Sequence, residues 1–333
     1  MSTVARRSSP VGMATKPTTH HHEVPIRTTS AWPSPVHPYV TDGGLETDLI
    51  FNHGVRLQEF AAYPLLRTWR GRAMLDAYYD GYAGIARRHG GGLLLETPTW
   101  RASAGWGARL GDDRRALYDI NVQAVRHLLQ LRERYRDLPE VLISGAVGPS
   151  HDASADTSAI DADVARIYHE PQIGALAEGG ADLVTAFTLS DPGEGIGIAH
   201  AAFFHGLPVV IGFTVETDGR LRGCMTLREA IETVDDETDT VQYMVNCAHP
   251  QHVLRALDDG AWRERVLSVR HNASTKSHAE LDDATTLDSG DLDELRLGHE
   301  KVRALLPGLG VVGGCCGTDS RHVAALWEGR APA

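Results

Sequence analysis

Three of the four cysteines of this chain lie in two short segments that could together hold a metal ion. Cys315 and Cys316 are adjacent within the glycine-rich residues 313–318, and Cys247 lies far upstream. Each segment follows an apolar run of the kind that forms a buried strand. Three cysteine thiolates at strand ends suit a zinc ion whose fourth tetrahedral position stays open for a substrate.

The adjacent pair needs an unusual backbone to serve such a site. Successive side chains of a regular strand point to opposite faces, so Cys315 and Cys316 reach one ion only if the chain leaves strand geometry there. The flanking glycines supply the freedom for such a turn. The competing interpretation is a set of buried structural cysteines, because free cysteine is commonly interior. We assign that interpretation to the isolated Cys224 and a metal site to the pair with Cys247.

The apolar pattern predicts an α/β fold, a (β/α)8 TIM barrel, in one domain spanning residues 37–333. From this point short apolar runs alternate with amphipathic helical segments, such as the one around Tyr78. Eight βα units are typical of a closed barrel. A doubly wound open sheet is the alternative, disfavoured because no Gly-x-Gly-x-x-Gly fingerprint follows the first strand. The eight predicted strands cover residues 39–43, 92–97, 141–147, 182–188, 208–214, 241–246, 266–270 and 311–314.

Composition and charge narrow the class of partner. The 333 residues, 42% of them hydrophobic, are those of an ordinary globular protein. A formal net charge of −12 argues against nucleic-acid or anionic-membrane surfaces, which need clustered Lys and Arg, and leaves small molecules as expected partners. No apolar stretch approaches the roughly 20 residues that span a bilayer. Few cysteines in a long chain favour a reducing cytoplasm over a disulfide framework.

Two segments lie outside the regular βα pattern. Residues 1–36 are rich in Ser, Thr and Pro without apolar periodicity, which predicts a flexible tail. Residues 271–291, after the seventh strand, are predicted to form a long acidic loop. We interpret His271 and His278 in this loop as solvated residues rather than metal ligands. The oligomeric state is left open by the sequence.

Four motifs together resemble the homocysteine S-methyltransferase family. They occur in order across almost the whole predicted barrel, as DGGLET at residues 42–47, SGAVGP at 144–149, VNC at 245–247 and GGCCG at 313–317. The resemblance implies a (β/α)8 fold with zinc held by Cys247, Cys315 and Cys316. It also implies transfer of a methyl group from an onium donor, of the S-methylmethionine or S-adenosylmethionine type, to a thiol. Homocysteine is the acceptor it favours, with methionine as the product.

The chemistry of thiolates agrees with that activity. A thiol bound to zinc is deprotonated near neutrality, whereas a free thiol has a pKa of about 8.5. Methyl transfer to the resulting sulfur needs in-line positioning and exclusion of water, but no proton donor. Such a site therefore needs no His–Asp dyad.

The resemblance also suggests which residues bind the substrate. Asp42 matches a family aspartate that helps to hold the amino-acid portion of the thiol, although an Asx-turn before the two glycines explains it equally well. Thr97 matches the end of the second strand, and Asn246 lies beside the cysteine in its motif. Asn272 resembles an asparagine in the loop over the site. These four residues are our candidate substrate contacts, together with Phe187.

Two departures from the family pattern place the acceptor in question. Phe187 stands where the family usually has a glutamate that contacts the substrate ammonium, and Glu96 stands where Thr or Gln is more common. One interpretation is a relocated carboxylate, which makes Asp42 and Glu96 the candidate catalytic residues. Another is a different thiol or selenol acceptor. A third function, from another class, is a metal-binding or redox protein with a vicinal disulfide between Cys315 and Cys316.

Overall fold

Eight parallel strands form a closed barrel in the computed structural model, which describes residues 37–151, 159–238 and 241–328. Each strand pairs with its neighbour in sequence, and the last pairs with the first in register, Tyr39 opposite Val311. The predicted (β/α)8 barrel is thereby confirmed, while the predicted tail at residues 1–36 lies outside the described residues. The strands are β1 Tyr39–Val40, β2 Gly92–Glu96, β3 Val141–Val147, β4 Leu183–Leu189, β5 Val209–Phe213, β6 Gln242–Ala248, β7 Val266–His271 and β8 Val311–Gly314.

Helices follow the strands around the outside of the barrel. Polar side chains begin many of them, for example Asp113 and Asp161, each of which accepts a hydrogen bond from a first-turn amide. Gly90 and Gly180 end two long helices in the left-handed conformation, which glycine adopts at little steric cost. The helices are α1 Leu45–Thr47, α2 Trp69–His89, α3 Ala104–Arg109, α4 Arg114–Arg134, α5 Ala162–Gly179, α6 Pro192–Phe204, α7 Leu227–Glu237, α8 Pro250–Ala256, α9 His278–Asp282, α10 Leu292–Leu305 and α11 Ser320–Trp327.

Two apolar layers surround the sheet. The larger one lies between strands and helices, and a smaller one fills the barrel interior with side chains such as Tyr39, Leu94 and Met244. Because alternate residues of a strand share a face, Glu96 points inward like Leu94 but lies nearer the C-terminal end of its strand. The interior is thus an apolar floor beneath a polar mouth, where barrels of this fold carry their active sites.

Some boundaries differ from the prediction. The strand ladder of β1 ends after two residues, and β6 extends through Cys247, so this cysteine lies within a strand instead of after it. Residues 271–291 are not a simple loop, since β7 includes His271 and the short helix α9 begins at His278 with a capping box from Ser277. Among the described residues no helix has the length and apolar character needed to cross a membrane.

Candidate functional site

Cys247, Cys315 and Cys316 meet at the mouth of the barrel. Their sulfur atoms all lie within 4.8 Å of one another. Cys247 has a φ of 55°, in the left-handed region that non-glycine residues seldom adopt. The β6–β7 register shifts between Asn246 and Ala248, so a bulge re-aims the Cys247 side chain. Strained backbone conformations of this kind cluster at functional sites, so this one indicates that the direction of the Cys247 side chain matters for function.

The turn after β8 brings the adjacent cysteines to the same place. The amide of Cys315 donates to the His271 carbonyl at 2.7 Å, and the Cys316 carbonyl accepts from Ala273 at 3.1 Å. Gly317 follows with a φ of +78°, and the chain leaves strand geometry directly after Gly314. The expectation that the pair escapes the alternation of a strand is confirmed. Both sulfurs can then face one ion.

Two asparagine side chains donate to the sulfurs. Nδ2 of Asn272 lies 3.6 Å from Sγ of Cys247, and Nδ2 of Asn246 lies 4.0 Å from Sγ of Cys315. Asn246 also bridges to β4, accepting from the amide of Thr188 at 2.9 Å and donating to its hydroxyl at 2.8 Å. The structure therefore places both asparagines against the cysteines, where amide donors stabilise negative sulfur.

The three thiols also influence each other's ionisation. Hydrogen bonds from Cys315 and Cys316 hold the pKa of Cys247 well below its usual range. The same contacts with Cys247 raise the pKa of Cys315 and of Cys316, because a second or third negative charge is unfavourable beside the first. Full deprotonation of such a cluster requires a compensating cation.

The donor set fits a metal ion. Three cysteine sulfurs with two amide donors behind them match the thiolate ligands and outer-shell hydrogen bonds of a tetrahedral centre with an open position. Cys224 is not part of this group and is exposed, so its interpretation as a buried structural cysteine is wrong. Its φ of 71° places it in a surface turn.

Neither histidine of the predicted loop is a solvated residue. His278 has both ring nitrogens engaged, by the Cys247 carbonyl at 2.9 Å and by Glu216 at 3.1 Å. Burial alone would lower its pKa, but the side chains of Cys247 and Glu216, through hydrogen bonds and negative charge, raise the pKa of His278 to about 10. His271 is fully buried with its Nε2 3.1 Å from Nδ1 of His299, and burial lowers its pKa to about 3. The solvated interpretation is wrong for His271, which is fully buried, and His278 is held by Cys247 and Glu216 although its side chain is 19% exposed.

Asp42 forms an ion pair that the sequence did not reveal. Nη2 of Arg270 donates to its Oδ1 at 2.5 Å, and both side chains are buried. Burial raises the pKa of Asp42, and the charge of Arg270 offsets part of that increase. The guanidinium carbon of Arg270 also lies 5.0 Å from the ring centroid of Phe187, at the end of β4. The ring of Phe187 therefore already faces a cation of the protein itself.

Glu96 is the other carboxylate of the mouth. It is 4% exposed, and its Oε2 has no hydrogen-bond partner among the described residues. Burial raises its pKa to about 7, although Arg270 and the hydroxyls of Ser144 and Thr185 favour its charged form. A buried carboxylate oxygen without a partner is costly unless a ligand completes its hydrogen bonding.

Thr97 is tied into the scaffold. Its hydroxyl lies 2.6 Å from that of Thr99 and accepts from the amide of Ala146 at 2.8 Å. These bonds fix the loop that follows β2 against β3. The structure thus brings the predicted cysteines, asparagines and carboxylates to one end of the barrel, and it adds Arg270 and His278 to them.

Comparison with known proteins agrees with this site. Residues 39–329 match the family model described as homocysteine S-methyltransferase. The chain therefore belongs to the homocysteine S-methyltransferase family, as its motifs indicated, and it is an enzyme of the methyltransferase class. No curated protein matched the chain.

Solved structures of one bacterial enzyme share the fold. The metallated form of the homocysteine methyltransferase MmuM from Escherichia coli is 21% identical and aligns with a TM-score of 0.66, over 87% of this chain and 96% of that one. The oxidized form is 22% identical with a TM-score of 0.65, over 87% and 94% of the two chains. The apo form is 20% identical with a TM-score of 0.59, over 87% and 95%.

Proposed function

We propose that this enzyme moves a methyl group from an onium donor, of the S-methylmethionine or S-adenosylmethionine type, to the sulfur of homocysteine and so makes methionine. Zinc is the metal we assign to Cys247, Cys315 and Cys316. The observation that carries the proposal is the meeting of these three sulfurs within 4.8 Å at the barrel mouth. Membership of the homocysteine S-methyltransferase family supports the acceptor.

The reaction exchanges one carbon–sulfur bond for another. The S–CH3 bond of the onium donor breaks, the donor leaves as a neutral thioether, and the acceptor sulfur forms the new S–CH3 bond after losing its proton. When bound, zinc lowers the pKa of the acceptor thiol and supplies the nucleophilic form near neutrality. Asn272 and Asn246 donate toward the ligand sulfurs and orient them.

Glu96 is the residue to which we assign the acceptor ammonium. Its Oε2, which has no hydrogen-bond partner in the described part of the chain, and its inward position at the end of β2 support this role. Asp42 already pairs with Arg270, and Phe187 offers no charge. Thr97 shapes the adjacent loop through its two hydrogen bonds. The absence of a charge at Phe187 is also compatible with a second candidate function, in which the acceptor is a thiol or selenol that lacks a free ammonium group.

A screen of donors against acceptors tests the proposal. Protein purified under reducing conditions and loaded with zinc would be offered homocysteine, a selenol analogue or a simple alkyl thiol, each with S-methylmethionine, S-adenosylmethionine or betaine. We expect methionine from homocysteine with an onium donor, detected by mass spectrometry, and none after chelation of the metal. A metal-loaded protein that methylates no acceptor, and whose Cys315 and Cys316 cycle to a disulfide, would instead favour the redox alternative.

A further inference from the structure

Arg270 joins three strand ends at the barrel mouth. Its Nε donates to the Gly314 carbonyl at 2.8 Å, and its Nη2 donates to the Gly43 carbonyl at 2.9 Å and to Asp42 Oδ1 at 2.5 Å. The residue is 5% exposed, and these bonds satisfy a buried guanidinium that would be costly without partners. One planar side chain on β7 therefore connects the residues that follow β1 with the last residue of β8.

These contacts reach the metal-binding turn directly. Gly314, which accepts from Arg270, immediately precedes Cys315 in the chain. The amide of Cys315 in turn donates to the carbonyl of His271, the residue after Arg270. Strand β7 therefore holds this turn in two ways, through the side chain of Arg270 and through the backbone carbonyl of His271.

The same contacts change what the mouth offers to a substrate. Asp42 is 4% exposed, and its carboxylate is paired with Arg270. The guanidinium also lies over the Phe187 ring, so this aromatic face is occupied by an internal cation. A substrate ammonium would meet the positive charge of Arg270 on this side of the mouth. Glu96, on β2, keeps one carboxylate oxygen that has no hydrogen-bond partner within residues 37–151, 159–238 and 241–328.

We propose that Arg270 is a positioning residue with two effects: it fixes the turn that carries Cys315, and it withholds Asp42 from the acceptor, so that ammonium recognition falls to Glu96. The second effect rests on the proposed transfer to an amino-acid thiol. The first concerns this chain's own residues and the metal they hold. Arg270 thereby determines both the geometry of the ligands and the choice of carboxylate.

Zinc affinity tests the first effect without any turnover. Arg270→Met should weaken zinc binding, measured by competition with a chelator, by roughly 10- to 100-fold, which is the range for loss of an outer-shell partner. Arg270→Lys should fall between this variant and the unmodified protein, because it keeps the charge but loses the fork that reaches three acceptors. Asp182→Asn is the matched control, since it breaks another Arg–Asp pair, with Arg132, just before β4.

A double variant guards against simple misfolding. Arg270→Met leaves Asp42 as an unpaired buried charge, so Asp42→Asn in the same chain should restore part of the lost thermal stability. Zinc binding should stay weak in this double variant, because the bond to Gly314 is still absent. Unchanged zinc affinity in both Arg270→Lys and the double variant would overturn the positioning role.

Kinetics with two thiols test the second effect. Asp42→Asn should change KM for homocysteine and for a simple alkyl thiol by the same factor, because Asp42 acts through Arg270 and not on the ammonium. A rise in KM confined to homocysteine would overturn it, since Asp42 would then contact that group. If the unmodified protein binds zinc but methylates neither thiol, the proposed function fails, while the order of zinc affinities still decides the role of Arg270.

Discussion

Replacing Glu96 with glutamine should selectively weaken the binding of homocysteine. Glu96 is buried, and its Oε2 has no partner among the described residues. A charge-assisted hydrogen bond to an ammonium contributes about 1.5–3 kcal/mol, which corresponds to roughly a 10- to 150-fold rise in KM when it is lost. Glutamine keeps the shape of the side chain but not its charge, so packing should change little.

The pH dependence of KM for homocysteine provides a second test of the role of Glu96. Burial raises the pKa of Glu96 to about 7, and only the ionised carboxylate attracts an ammonium. KM for homocysteine should therefore rise as the pH falls below 7, by roughly fivefold between pH 7 and pH 6, because the competent fraction falls by that factor. The variant should lack this additional rise.

Steady-state kinetics with a simple alkyl thiol provide the control. That thiol shares any effect of pH on the metal and on the sulfur, but it carries no ammonium for Glu96 to bind. We expect its KM to be nearly the same for the variant and the unmodified enzyme. Equal KM values for homocysteine before and after Glu96→Gln would refute the relocated carboxylate and favour an acceptor without that group.

Three further changes probe the metal, the turn and the scaffold. Lowering the pH below neutral should release zinc and abolish activity together, because protons compete for the thiolates, while circular dichroism still reports a folded barrel; unfolding on chelation would make the site structural. Gly44→Ala should weaken zinc binding and lower the Tm, because its new Cβ would lie 2.5 Å from the Cys315 carbonyl oxygen, whereas Gly84→Ala, whose Cβ meets nothing nearer than 3.8 Å, should do neither. Glu194→Gln should destabilise the fold by about 1–3 kcal/mol at pH 7 in urea denaturation, because the buried carboxylate accepts from Ser150 at 2.7 Å and contacts His169 at 2.9 Å. Burial opposes the charge of Glu194, but those bonds lower its pKa in the folded protein. The stabilisation by Glu194 is therefore present at neutral pH and is lost as the pH falls from the ordinary pKa of a glutamate through the lower pKa of the folded state. A destabilisation by Glu194→Gln that is as large at pH 4 as at pH 7 would contradict this.

The barrel was predictable because a parallel strand that is buried on both faces appears in the sequence as a short continuous apolar run, and such runs can be counted. The eight runs correspond to the eight strands of the described chain. The ends of the strands were less predictable. Cys247 lies in a bulge with a left-handed backbone, and no local pattern distinguishes that from a strand that simply stops.

The clustering of the three cysteines was predictable from their motifs, but the surroundings of the cluster were not. Arg270 and Asp42 are 228 residues apart in sequence, so their pairing depends on closure of the barrel. His278 resembles a loop residue in sequence, yet the fold turns it toward the Cys247 carbonyl. Contacts of this kind follow from tertiary structure, and hydrophobic periodicity carries no signal for them.

The metal content of purified protein tests the three-cysteine site most directly. Protein prepared under reducing conditions would be analysed by mass spectrometry for zinc, together with Cys316→Ala and the matched control Cys224→Ala, whose cysteine is exposed and is not a member of the cluster. The three-cysteine site predicts about one zinc ion per chain in the unmodified protein and in the control. It predicts loss of zinc and of methyl transfer in Cys316→Ala. Full zinc retention and turnover in that variant would contradict it.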